Sequence, residues 1–401
     1  MLVRTTVAPE LVSTDEHFVP RYWATVWSFK RHSGAASLNT RQMQLRHIDS
    51  FYDHCDKEYG IDWLDAAITM HKHAELQDMV ETFHMSLSER SDSNTTTVQK
   101  WAAVRGFVQS ITGRLAPGSE AWRALAAFVE GMEKIRPNNF GRIKFVYALS
   151  QRTLGDLLDV AEPGSGRNPW KGIGIQRRNW LAINLLLFCG LRRGELLLLT
   201  VDSLNEDVEP TSGELVHWLN VTSCSDDDEV HNHDPRANKP SIKTEASHRQ
   251  IPVSKDLADL YISYVTDFRE PSDTHGFLIT ARGGAPLSVE SVNKFFRQLS
   301  KALSDEARAQ FRKRAGGKKH VSPHDMRHTA ATGRYISYRD EGSDILLVKQ
   351  RMRAYFGWDT KSDMPDLYAR AAIQEDLLRS WSDVFELRTV AGRSLISGIR
   401  A

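Results

Sequence analysis

The first third of the chain repeats apolar residues at helical spacing, which restricts that region to a bundle of helices. Leu45, Ile48, Tyr52 and Cys55 form one stripe, and Leu76, Met79, Val80, Phe83 and Leu87 a second. Trp101, Val104, Val108 and Ile111 make a third, and Trp122, Leu125, Val129 and Met132 a fourth. Asn39, Asn94 and Ser119 stand near three helix starts, where a side-chain oxygen can accept free backbone N–H groups. A further helix is expected from Glu16 to Arg31. The stripes read as the core of a compact bundle of four or five helices that ends near Ile135.

The pattern breaks at RPNNFGRIK, residues 136–144, where Pro137, Asn138, Asn139 and Gly141 interrupt any helix. The expected organisation is a helical domain over 1–135, a linker over 136–145 and a second domain over 146–401. In the second domain helical segments are expected at Thr153 to Ala161 and Gln176 to Cys189. Short strands follow at Leu215 to Val221 and Gln250 to Val253, then more helices to Arg388. The fold class is therefore mainly α: a helical bundle followed by a mixed α/β domain, mostly helical with a small antiparallel sheet.

Composition excludes several classes. At 401 residues, two domains are the natural prior, each able to bury a core without disulfides. Three cysteines, Cys55, Cys189 and Cys224, are too few and too scattered for a disulfide framework. The longest uncharged apolar stretch, Trp180 to Leu191, falls short of the roughly 20 residues that span a bilayer. A soluble, cytoplasmic protein is expected, with no membrane partner. The net charge of +1 announces no polyanion. Local clusters at Arg142 and Lys144, at Arg177 and Arg178, and from Arg308 to Lys319 decide nothing alone, because solvated surface looks the same. His231 and His233 lack a second ligand pair at a metal-site interval, so they read as a loop.

The chemistry-bearing residues lie in the second half. Gly190-Leu191-Arg192-Arg193-Gly194-Glu195 leads out of an apolar helix. Lys243-Thr244 precedes the strand Gln250-Ile251-Pro252-Val253 by seven residues. His324-Asp325-Met326-Arg327-His328 comes next, then Phe356-Gly357-Trp358, and Tyr368 ten residues after the tryptophan. One such box alone means little. Their joint order and spacing resemble the tyrosine recombinase (phage integrase) family, whose pattern is G-L-R-x-x-E, a hairpin lysine, H-x-x-R-H, G-H or G-W, and a tyrosine. The resemblance covers roughly Leu149 to Ala372, with the N-terminal bundle matching the family's core-binding domain only in size and helicity.

The resemblance implies a site-specific recombinase or integrase that cleaves and rejoins double-stranded DNA through a 3′-phosphotyrosine, without metal or ATP. It also implies a homotetramer on synapsed DNA and association with the nucleoid. The physical reading is compatible. A phosphodiester gains charge at its oxygens as a fifth ligand approaches, and fixed cations can compensate it. Arginine stays charged and presents a planar fork to two oxygens. Arg192 and Arg327 are accordingly the expected phosphate clamp, completed by His324 and by the donor-only indole N–H of Trp358. Tyr368 is the expected nucleophile, His324 a candidate base, and Lys243 the general acid for the departing 5′ oxygen. Glu195 is expected to support the site by orienting a cation. Arg142, Lys144, Lys318 and Lys319 are candidate DNA contacts.

Rivals stay open at this stage. Arg193 adjoins Arg192, although the family register favours the latter, and Lys239 rivals Lys243. Tyr355 precedes Gly357-Trp358 and reads as packing, while His328 could contact phosphate or serve structure. Trp358 replaces the commoner histidine, and the interval to Tyr368 is one residue longer than usual, with Pro365 inside it. The stretch Cys224 to Ser241, with its acidic run, is expected to point away from DNA or be disordered. The tail carries Leu377, Leu378, Trp381 and Phe385 at helical spacing and could pack in cis or in trans. A type IB topoisomerase-like enzyme and a non-catalytic DNA-binding regulator on the same scaffold are the alternative functions.

Overall fold

In a computed structural model, the described residues are 2–5, 11–32, 38–89, 95–115, 119–132, 135, 147–222, 234–236, 239–240 and 247–373. The chain divides into two compact units, Met1–Ile143 and Lys144–Ala401.

The first unit holds six described helices and a small hairpin. Strands β1 (Leu2–Arg4) and β2 (Leu11–Ser13) pair antiparallel. Helices α1 (Tyr22–His32), α2 (Leu38–Tyr59), α3 (Trp63–Thr69), α4 (His73–Ser88), α5 (Thr95–Leu115) and α6 (Glu120–Gly131) follow. Their apolar stripes converge, so that Leu45, Ile48, Phe51, Met79, Val104 and Phe107 are fully enclosed. The expected helix from Glu16 starts later, at Tyr22. Asp15 accepts N–H bonds from His17 and Val19, and Thr14 bridges to Pro20, which fixes a turn where a helix would otherwise begin. Asn39 lies inside α2, and Ser119 precedes α6 without a side-chain cap bond. Asn94 lies outside the described residues, as does the expected linker apart from Ile135 just before it.

In the second unit, α7 (Gln151–Ala161) and α8 (Ile173–Phe188) precede the short α9 (Arg193–Leu198). Helix α8 is apolar nearly all round from Leu181 to Leu187 and is buried accordingly. A three-stranded antiparallel sheet of β3 (Leu204–Val208), β4 (Leu215–Val221) and β5 (Arg249–Val253) comes next. The strand β3 was not expected from its sequence. As an exposed edge reading LNEDV, it has no buried face to impose alternation. Helix α10 (Lys255–Ser263) runs into a π-helical turn, Tyr264–Phe268. It is followed by α11 (Val289–Ala302), α12 (Asp305–Arg314), α13 (Pro323–Asp340) and α14 (Ile345–Phe356), and residues 364–373 are again helical. Helix α13 packs against α8 and α14, and α14 lies beside β5.

Part of the long β4–β5 connection packs into the second unit. Within Cys224 to Ser241, Asp234 and Arg236 are buried, and the Arg236 guanidinium bonds Asp234 and the carbonyls of Leu197 and Leu287. It also stacks over Phe277. The loop is thus tied to the second unit's own core at this point. Residues 223–233, including the acidic run and both histidines, lie outside the described residues.

Candidate active site

Glu195 is the centre of the site. It sits in the first turn of α9, where one carboxylate oxygen accepts the backbone N–H of Arg192 at 2.8 Å, a bond that starts the helix. The other oxygen takes Arg192 Nη1 at 2.5 Å. Arg249, from the start of β5, gives Nη2 to Glu195 at 3.0 Å. Arg327, from α13, lies 3.7 Å from the same carboxylate. Burial acts to raise the pKa of Glu195, but Arg249, Arg327 and Arg192 together outweigh it and hold the carboxyl below its ordinary value.

Two glycines make this convergence possible. Gly190 adopts φ +59°, and a side chain there would collide with the ring of Phe356. Its carbonyl accepts Arg327 Nη1 at 2.5 Å, while Phe356 O takes Nη2 at 2.6 Å. Gly357, at φ +58°, ends α14 in the left-handed conformation and turns its carbonyl to Arg192 Nη2, 3.3 Å away. The glycines of the G-L-R and F-G-W motifs are therefore backbone requirements of the arginine pair. Burial pulls Arg327 down to about 9, with Glu195 opposing, and the guanidinium stays protonated at neutral pH.

Tyr368 lies on the helical segment 364–373 and is 1% exposed. Its ring stacks on Trp358 (5.3 Å, 6° between planes), which stacks in turn on Phe356 (4.9 Å, 18°). Its hydroxyl is 2.8 Å from His328 Nδ1. Burial pushes the phenol up to about 12, against the pull of Arg327 and Arg192. Burial likewise pushes His328 down to about 4, aided by His324. The pair is thus neutral at pH 7.

The expected residues Arg192, Glu195, Arg327, Trp358 and Tyr368 come together here. His324 reaches the surface one turn before His328, with ring centroids 4.1 Å apart. Arg193 turns away to Asn293, and Tyr355 packs, donating its hydroxyl to Phe188 O. Lys318 is held at 2.5 Å by Asp325, which also accepts from Tyr147 and caps α13 through Ser322. Lys319 is exposed. Lys243, Arg142 and Lys144 lie outside the described residues, and the rival Lys239 is exposed.

Sequence reasoning missed Arg249, and it missed the bond between His328 and the tyrosine. Arg249 carried a faint signal, a basic residue opening an apolar strand. Asp325 was more legible, since Ser322 and Asp325 make a capping box.

A catalytic unit of this mainly helical fold, carrying these motifs in this order, is that of a tyrosine-type site-specific DNA recombinase. The chain belongs to the phage integrase family, whose model matches residues 171–372, beginning later than the expected Leu149. No curated relative matches the sequence. Among solved structures the chain is similar to XerA recombinase (16% identity, covering 90% of this chain and 97% of that one, TM-score 0.36). It is also similar to the Tn1549 transposon integrase in complex with a circular intermediate DNA (15%, 88% and 98%, TM-score 0.47). A third is XerH site-specific recombinase bound to difH substrate (15%, 89% and 92%, TM-score 0.38). Among the described residues, no helix is long and apolar enough to cross a membrane.

Proposed function

We propose that this protein cleaves and rejoins double-stranded DNA through a 3′-phosphotyrosine on Tyr368. One observation carries the reading: Arg192, Arg249 and Arg327 surround the single carboxylate of Glu195 beside a buried tyrosine. Three guanidinium charges against one carboxylate leave a positive excess in a place with little water. A phosphodiester brings one negative charge there and gains more along the attack coordinate. The arginines supply the compensation that a metal ion brings elsewhere.

In this reading Arg192 and Arg327 hold two phosphate oxygens, with His324 and Trp358 completing the clamp. The Tyr368 oxygen attacks phosphorus, and the 5′ oxygen departs with a proton from Lys243. The phosphotyrosine conserves the energy of the broken bond, so a 5′-hydroxyl of a second strand displaces the tyrosine. Glu195 and Arg249 position the clamp without touching DNA. Residues 1–135 serve as a second DNA-holding domain and 136–145 as its linker, with Arg142, Lys144 and Lys319 on backbone phosphates. Four copies act on synapsed DNA.

A duplex with a nick close to the cleavage site tests the reading, because the short product diffuses away and traps the covalent complex. Wild type should be trapped and Tyr368→Phe should not. Equal trapping of both would remove Tyr368 as nucleophile.

A further inference from the structure

We propose that His328, not His324, takes the proton of Tyr368 as the phenol attacks phosphorus, and returns it when the strand is rejoined. The proposal rests on Tyr368 being the nucleophile. Tyr368 Oη and His328 Nδ1 are 2.8 Å apart, within range of direct transfer with no intervening water. The hydroxyl is buried, and a buried hydroxyl needs an acceptor. His328 is the partner it finds among the described residues; in this proposal the phenol is the donor, with the imidazole proton on Nε2. His324 lies one helical turn away and opens to the surface, which suits it to a phosphate oxygen.

The surroundings fix the protonation state. On its own helix His328 faces His324, Asp325 and Arg327. Lys318 approaches from the loop before α13, and Tyr368 from segment 364–373. Burial and the neighbouring cations keep the ring neutral and able to accept. A phosphate entering the clamp changes the balance, because its negative charge favours an imidazolium nearby. Arg192 and Arg327 already favour the phenolate. The phosphate charge disfavours a free phenolate, so the proton leaves in concert with attack, as the charge on the oxygen passes into the forming O–P bond.

In the cleavage step the O–H bond of Tyr368 breaks and its electron pair forms the new O–P bond. The proton goes to His328 Nδ1. The P–O5′ pair leaves with the 5′ oxygen, which is protonated by the general acid. Rejoining runs the same transfers backwards, with the imidazolium reprotonating the tyrosine.

Single-turnover cleavage of a nicked duplex tests this, with gel shift and thermal melting as controls for binding and folding. His328→Asn places an amide oxygen where Nδ1 stood, so it can accept the hydrogen bond but cannot hold a proton. Its cleavage rate should fall by about 100-fold or more, the lower end for general-base catalysis. The acidic limb of the pH profile should vanish with it. Added imidazole should restore part of the rate in His328→Ala, and His324→Asn should keep the acidic limb. His328→Gln repeats the test where asparagine unfolds the site. The proposal fails if His328→Asn cleaves with the wild-type rate and pH profile, or if imidazole restores only His324→Ala. Covalent trapping of Tyr368→Phe would instead overturn the nucleophile assignment itself, whatever the histidine variants do.

Discussion

Among the described residues, the ionic cluster around Arg21 in the first unit and that around Glu195 in the second are built with opposite stoichiometry. In the first, a single guanidinium, Arg21, meets Asp49 at 2.6 Å, Asp53 at 2.8 Å and Asp56 at 3.1 Å. In the second, the single carboxylate of Glu195 meets three guanidiniums. The excess negative charge around Arg21 reaches water, since the Asp53 side chain is 66% exposed. The excess positive charge around Glu195 is more enclosed: Arg249 and Arg327 are 5% and 4% exposed, and Arg192, at 28%, is the part of it that meets water. Water can hydrate the first excess and a hydrated charge costs little. A buried excess is costly unless something of opposite sign arrives. The Arg21 cluster ties α2 to the residue preceding α1. The Glu195 cluster stores an electrostatic demand that packing alone does not require.

Removing Glu195 is the hardest test of that contrast. Glu195→Gln leaves three guanidiniums facing one another in a dry site and should cost about 3–5 kcal/mol of unfolding free energy. Denaturant titration would measure it, and bound duplex DNA should return part of the loss. A variant as stable as wild type would show that the positive excess is not felt.

Next in size is Arg192→Lys, which keeps the charge and loses the fork. Single-turnover cleavage should fall about 100- to 1000-fold, the scale of one lost oxyanion donor. Stability should change little, because Arg192 is partly exposed.

Arg21→Met should lower stability by about 1.5–3 kcal/mol, the range for hydrogen bonds to charged groups. The cleavage rate of bound DNA should not change. A stability loss equal to that of Glu195→Gln would erase the distinction between the clusters.

A further test is a pH dependence. Unfolding exposes His328, which regains its ordinary value near 6.5, while the folded value is about 4. The unfolded chain therefore binds more protons between these limits. The His328 contribution is full above about pH 6.5 and is lost as pH falls towards 4. Wild type minus His328→Asn, melted across that range, should show this slope, and a flat difference would contradict a neutral, half-buried imidazole.

The order of motifs was legible in the sequence, and so was the helical texture of both units, because each is written in residues close along the chain. The Gly190–Glu195 box and the stripes of α2 and α4 are all local. Other features were not legible. The β3 edge strand leaves no alternation to read, and the turn before α1 depends on one aspartate bonding two backbone groups.

The amino-acid order by itself determined which side chains this protein brings to its chemistry: arginines that stay charged, a tyrosine able to attack, and glycines where the backbone must turn. Only the tertiary structure decided their partners. Arg249 meets Glu195 across 54 residues, and Tyr368 meets His328 across 40. Contacts at such separations have no local period or spacing. They exist because β5, α13 and segment 364–373 pack against one core, and burial then makes each hydrogen bond obligatory.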